Sequence, residues 1–127
     1  MPISWEQIVV DSDDPHRLAR WWAEALGYEI VHEAPDEVEI RRSPDELPGL
    51  LFGACPDPKT VKNRLHIDVP AGGGRTVPLP ERTARIEARA TELEAIGARR
   101  LRVLSQDGLD HYGVVMADPE DNEFCVH

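Results

Sequence analysis

Two glycines constrain this chain more than anything else in it. Gly27, in "ALGYEIV", and Gly97, in "AIGARRLRV", each close an amphipathic run just before an extended segment. Glycine just past a helix end is the usual left-handed stop, because it carries no Cβ to clash there. The segments around both stops come in the same order, which predicts a duplicated module of strand, helix and three strands.

In the first pass, Ile8-Val9-Val10 is β-branched and reads as a strand. Asp11-Ser12-Asp13-Asp14-Pro15 follows, with Asp or Ser available as N-cap and Pro15 suited to the first helical turn. Leu18, Trp21, Trp22, Ala25 and Leu26 then recur at helical spacing, which makes the tryptophans packing anchors. Extended pieces are expected at 28–33, 37–42 and 50–55, separated by turn formers. The second pass opens on Leu65-His66-Ile67-Asp68-Val69, whose alternation predicts a strand with Leu65, Ile67 and Val69 toward a helix. A helix is expected over 81–96 and strands over 99–104, 112–117 and 123–127. Module one thus covers about 3–55, a connector 56–62, and module two about 63–127, in a single domain. From strand start to helix stop the second pass is longer, and its surplus is the Gly- and Pro-rich run 70–80. Gly72-Gly73-Gly74 there reads either as a surface loop or as one that folds over a ligand.

Charge and composition exclude several partners. The chain has 127 residues, 41% of them hydrophobic and 30% charged, an ordinary globular balance. A net charge of −10 without a basic stripe argues against nucleic acid and anionic membranes. No run approaches the ~20 apolar residues of a membrane span. The opening Met1-Pro2-Ile3-Ser4-Trp5-Glu6 lacks the pattern of a signal peptide. Two cysteines, Cys55 and Cys125, make no disulfide framework, so a reducing, cytoplasmic setting is expected.

The closing "DPEDNEFCVH" carries the candidate chemistry. As a strand, its second half puts Phe124 and Val126 on one face and Glu123, Cys125 and His127 on the other. Alternation likewise places His66 with Asp68, and Trp5, Gln7, Val9 and Asp11 together. His66 and Glu123 form a candidate acid–base pair without metal. Trp5 is a candidate stacking platform, and His111 begins a strand at the rim. Lys59, Lys62 and Arg64 either steer an anionic ligand or are simply solvated. His16 and His32 read as surface residues.

"VVDSDDPHRLARWWAEALGYEI" and "DPEDNEFCVH" resemble the first strand–helix and the closing turn–strand of the vicinal oxygen chelate superfamily. That superfamily includes glyoxalases, extradiol dioxygenases and bleomycin-resistance proteins. The pairing of "PDPKTVKNRLHIDV" with "ADPEDNEFCV" is similar to small glyoxalase-like domains common in actinobacterial genomes. The resemblance implies an α+β fold of two βαβββ modules whose mixed sheet curls into a cup, helices outside. It also implies a metal position at Gln7, where many relatives carry His, at His66, and at Cys125, where metal-binding relatives carry Glu. The fourth position falls near Phe52-Gly53, which supplies no side-chain ligand. That set is incomplete: an amide is a poor ligand, and a Cys–His pair leaves a divalent ion short of donors. Zn is the ion that thiolate and imidazole suit, but a polar cavity floor with no bound cofactor is the expectation.

Three functions follow from the resemblance. The first is a glyoxalase-like protein that binds a small metabolite in the cup, acting as a lyase or isomerase with an atypical or absent metal. The second is a metal-independent binding protein of the bleomycin-resistance kind, sequestering a flat or cationic compound in an acidic cup, which Trp5, Glu123 and Asp11 favour; on either reading Trp5, Gln7, His66, His111 and Cys125 are the candidate ligand contacts. The third is an orphan module serving dimerisation or regulation. Relatives often pair, so a homodimer is implied as well.

Overall fold

The computed structural model describes residues 2–127. Two helices and two four-stranded mixed sheets form an α+β fold, divided into a unit Met1–Lys59 and a unit Thr60–His127. Each unit runs strand, helix, strand, strand, strand, so the repeat read from the glycine stops is present in the fold.

The first unit contains β1 (Gln7–Ser12), α1 (Pro15–Leu26), β2 (Glu29–Ala34), β3 (Glu37–Arg41) and β4 (Gly49–Ala54). Its sheet order is β1-β4-β3-β2, with β1 parallel to β4 and the other pairs antiparallel. Asp14 caps α1 by accepting from the Arg17 amide at 3.1 Å, and Pro15 opens the first turn. Gly27 ends it at φ 68, and the Tyr28 amide bonds back to Ala23 at 2.9 Å. Leu18, Ala19, Trp21 and Trp22 pack on Val38, Ile40, Leu50 and Phe52, all buried. The two tryptophan rings meet edge to face at 5.0 Å, the packing role expected of them.

The second unit contains β5 (Ile67–Val69), α2 (Leu79–Ala95), β6 (Arg99–Ser105), β7 (Tyr112–Ala117) and β8 (Glu123–Val126), in the order β5-β8-β7-β6. Again the first strand lies parallel to the last, and the remaining pairs are antiparallel. Ile86, Ala90 and Leu93 of α2 bury against Val114, Met116, Phe124 and Val126. Tyr112 and Arg100 both hydrogen-bond Glu87, tying α2 to β6 and β7.

One expectation fails in this unit. Leu65 was expected on the helix-facing side of a strand, but β5 begins at Ile67 and Leu65 is 78% exposed. The register explains it. Ile67 pairs with Phe124, so Leu65 would fall opposite Asn122, which lies in a turn and offers no ladder.

That turn is built by one buried carboxylate. Asp118 Oδ1 accepts from the amides of Glu120 and Asn122, both at 2.9 Å, and the Asn122 side chain adds a 3.0 Å bond to Oδ2. Asp121 adopts φ 67, a left-handed conformation that Asp tolerates better than most residues. Since β8 leaves directly from this turn, Asp118 aims Glu123 and Cys125. Asp118→Ala is expected to cost about 2 kcal/mol, because several charge-assisted bonds vanish and partly buried amides lose their acceptor. The change would appear as a lowered urea midpoint at unchanged m-value; a midpoint within error of the parent would refute this role.

The Gly-rich surplus is held at its start. The amides of Ala71 and Gly72 both donate to the His127 carbonyl, at 2.7 and 3.3 Å, and Gly72 is buried against Arg82 and Ile86 of α2. Gly73 and Gly74 have φ 90 and 87, values that favour glycine.

Candidate functional site

Because Phe124 and Val126 bury under α2, Glu123 and Cys125 must turn to the other face of the β5–β8–β7–β6 sheet. Register fixes their neighbours. Cys125 lies opposite Asp68 on β5 and Val115 on β7, and Val115 lies opposite Arg102 on β6. Asp68, Cys125, Val115 and Arg102 therefore make one row across all four strands. The middle of the row is buried, Cys125 being 7% exposed, whereas the Asp68 and Arg102 side chains are about half exposed.

Charged and titratable groups gather around both ends. His66 Nε2 lies 3.1 Å from Asp68 Oδ1, and His127 Nε2 lies 3.6 Å from Asp68 Oδ2, so one carboxylate stands between two imidazoles. Glu123 accepts from Lys62 Nζ at 2.6 Å and has Arg102 Nη2 at 3.7 Å. The Asn63 side chain donates to the Glu123 carbonyl at 3.3 Å, which holds the segment before β5 against β8. Gly113 lets Cys125 pack close on the floor: a Cβ there would stand only 3.2 Å from Cys125 Sγ, with His111 Nε2 at 3.8 Å.

His66, Glu123, Cys125, His127 and His111 are thus brought to one region of the second unit. Gln7 and Trp5 belong to the first unit. Gln7 stands in β1 opposite Gly49, and Trp5 precedes the strand and is 59% exposed. On the face of the first sheet away from α1, Glu39 is buried beside Arg41, its ion-pair partner, and both line the space above Gly49. One pairing differs from expectation. His66 has Asp68 beside it, as alternation placed them, but Glu123 is engaged by Lys62 and Arg102 and not by His66. Lys62 itself is held in that ion pair.

Burial pushes the Cys125 thiol above its ordinary range, the Asp68 carboxylate adds to this, and Arg102 opposes it. The neutral thiol is consequently the favoured form. Alkylation of Cys125 by iodoacetamide at pH 8 is expected to lag well behind that of half-buried Cys55, and to accelerate only above the ordinary thiol range. Only the thiolate reacts, and a raised value keeps its fraction small until the pH climbs past the ordinary thiol range. Peptide mass spectrometry across pH would check this; equal rates at both cysteines at pH 8 would contradict it.

The donor set does not fit the divalent metal of the resemblance. His66 Nε2 faces Asp68, Gln7 offers a neutral amide, and Phe52-Gly53 supplies no side-chain donor. Among the described residues, no group of three His, Cys, Asp or Glu side chains is arranged to hold a metal ion.

Charge divides unevenly. Residues 1–59 hold thirteen acidic and five basic side chains, and residues 60–127 hold eleven and nine. The acidity of the chain is therefore mainly that of the first unit, and the row described above lies in a nearly balanced one.

Two βαβββ units, each with its first strand parallel to its last, define the architecture of the glyoxalase/bleomycin resistance/dioxygenase class. The chain belongs to the Glyoxalase-like domain family, whose model matches residues 7–127. No curated protein matches it in sequence. Among solved structures it is similar to a glyoxalase/bleomycin resistance protein/dioxygenase family enzyme from Burkholderia phytofirmans PsJN, with TM-score 0.70, 12% identity and coverage of 95% of this chain and 94% of that one. It is also similar to lactoylglutathione lyase from Agrobacterium tumefaciens (TM-score 0.64, 16% identity, 99% and 93% covered). A variant of the fosfomycin resistance protein FosX from Listeria monocytogenes, complexed with Mn(II) and 1S,2S-dihydroxypropylphosphonic acid, matches with TM-score 0.68 and 10% identity, covering 99% and 88%. These likenesses establish the fold. No helix is long and apolar enough to cross a membrane among the described residues.

Proposed function

We propose that this glyoxalase-like protein binds a small polar organic molecule on the face of its second sheet that α2 leaves uncovered, without a metal held by the protein. The row Asp68–Cys125–Val115–Arg102 carries the reading: polar, half-exposed groups stand at its ends and a buried, uncharged floor lies between them. Small-molecule sites have that composition, mostly apolar surface with a few oriented polar groups. The names of the structural relatives support a guest of this size, since one concerns a glutathione adduct and another a phosphonic acid.

A second reading rests on one contact. The 3.1 Å approach of His66 Nε2 to Asp68 is the arrangement of an imidazole oriented by a carboxylate, the usual form of a general base. On that reading the protein is a lyase or isomerase, with His66 moving the proton and Glu123, tied to Lys62 and Arg102, serving as a charged support. Both cysteines are free, in keeping with a reducing compartment such as the cytoplasm. Exposed Ile8 and Val9 on β1, an edge strand of its sheet, favour pairing with a second copy, which light scattering would measure.

The test is an amide-resolved NMR titration of the full chain with a panel of aromatic, cationic and carboxylated compounds. Binding is expected to shift the amides of residues 66–68, 102, 113–115 and 125. Shifts confined to other surfaces, or none for any compound, would sink the binding reading. For a compound that binds, His66→Ala should abolish turnover and leave affinity within about threefold if proton transfer is its task. Unchanged turnover in that variant would remove the enzymatic reading alone.

A further inference from the structure

We infer that the guest of this face is a short bipolar molecule, with an anionic group at the Arg102 end and a cationic or hydrogen-bond-donating group at the Asp68 end. The inference rests on the binding reading above and goes on to the chemistry of the ligand.

Geometry separates the two ends. Asp68 on β5 and Arg102 on β6 lie at opposite edges of the sheet, three strand spacings apart, or about 14 Å between backbones. An aspartate and an arginine side chain turned toward each other across that span would leave room for a linker of a few carbon atoms. Cys125 and Val115 in the middle are uncharged and buried, so they favour an aliphatic linker over a polar one. Both charged ends reach the centre electrostatically: the Cys125 thiol is pushed up by Asp68 and down by Arg102.

The internal partners allow each end to turn to a guest. Arg102 stands 3.7 Å from Glu123, whereas Lys62 holds the same carboxylate oxygen at 2.6 Å. Arg102 can therefore swing to an incoming carboxylate or phosphonate while Lys62 keeps Glu123 neutralised. A guanidinium is suited to such planar, two-point recognition. At the other end, Asp68 has imidazoles at 3.1 and 3.6 Å, and both are about half exposed. A guest ammonium or hydroxyl can displace either of them.

The probes are 5-aminopentanoate, pentanoate and pentylamine, titrated by NMR into the parent chain and into Arg102→Gln and Asp68→Asn. These side chains are half exposed, so both variants should fold; Arg102→Lys, which keeps the charge, gives an independent check. 5-Aminopentanoate is expected to bind about fivefold more tightly than either single-ended probe, the range of a partly exposed ion pair. Arg102→Gln should erase its advantage over pentylamine, and Asp68→Asn its advantage over pentanoate. Equal affinity for all three probes at the row, or an advantage that survives both substitutions, would overturn the bipolar assignment and leave the binding face intact. If the row responds to other compounds of the panel and to none of these probes, the assignment also falls. If no compound of any kind perturbs the row, the binding reading and this inference fall together.

Discussion

Phe124→Ala is expected to lower stability by about 3–5 kcal/mol, the range for emptying a large, well-packed core position. Phe124 is 1% exposed, pairs with Ile67 and Met116 across two strand ladders, and packs under α2. It is the point at which β5, β7, β8 and the helix of the second unit meet. For a domain of this length the loss corresponds to a fall in Tm of roughly 10–20 °C. It should also blur the polar row, because Cys125 is the next residue and its direction depends on Phe124 staying beneath the helix. Leu65→Ala is the control. A side chain that is 78% exposed should change stability by no more than about 0.5 kcal/mol, despite its place in an alternating apolar pattern. Thermal and urea unfolding of both variants measure this. A Phe124→Ala protein as stable as the parent, or a Leu65→Ala protein as damaged as Phe124→Ala, would refute the described packing.

Gly72→Ala is expected to cost about 2 kcal/mol, in the range for forcing an extra carbon into a packed site. The new Cβ would overlap Arg82 Cγ and come within 3.2 Å of Ile86 Cδ1. Arg82 has little freedom to move aside. It is buried, its guanidinium is paired with Asp110, and the carbon in the way belongs to the root of the side chain. On the other side, the Gly72 amide is held by the His127 carbonyl. In an Arg82→Ala background the same glycine substitution should cost much less, since the obstructing carbon is gone. A full penalty in that background would show that the conflict is with something other than Arg82. The outcome also bears on the Gly-rich run: its first glycine is required by packing against α2, a role distinct from both a free surface loop and a cover over a ligand.

Much of the fold was legible in the residues because it is local. Asp14-Pro15 and Gly27 are a helix start and stop whose stereochemistry depends only on neighbours in the chain, and both appear where the sequence places them. "DPEDN" announces a turn, and the structure makes it with the Asp118 carboxylate. Alternation in "EFCVH" correctly sends Phe124 and Val126 to the helix and Cys125 away from it.

The candidate site was only half legible, since it depends on pairing across strands. His66, its face-mate Asp68 and Cys125 could be named from the chain, but the partners of Glu123 could not. The start of β5 was not legible either. The strand starts two residues later than the apolar alternation suggests, because the Asp118 turn leaves Leu65 no partner. Arg102 was hidden by a register shift between Arg100 and Arg102 in the β6–β7 ladder. Plain alternation puts these two arginines on one face. With the irregularity, Arg100 turns to Glu87 and Glu94 of α2, and Arg102 turns to Glu123 on the opposite side.

The amino-acid sequence by itself determined the repeated order of elements and the limits of the first helix, because caps, glycine stops and periodicity act over a few residues. Only the tertiary structure decided which charges share a surface. Strand register is set by hydrogen bonds between segments far apart in the chain, and a shift of one residue there reverses the direction of every side chain beyond it.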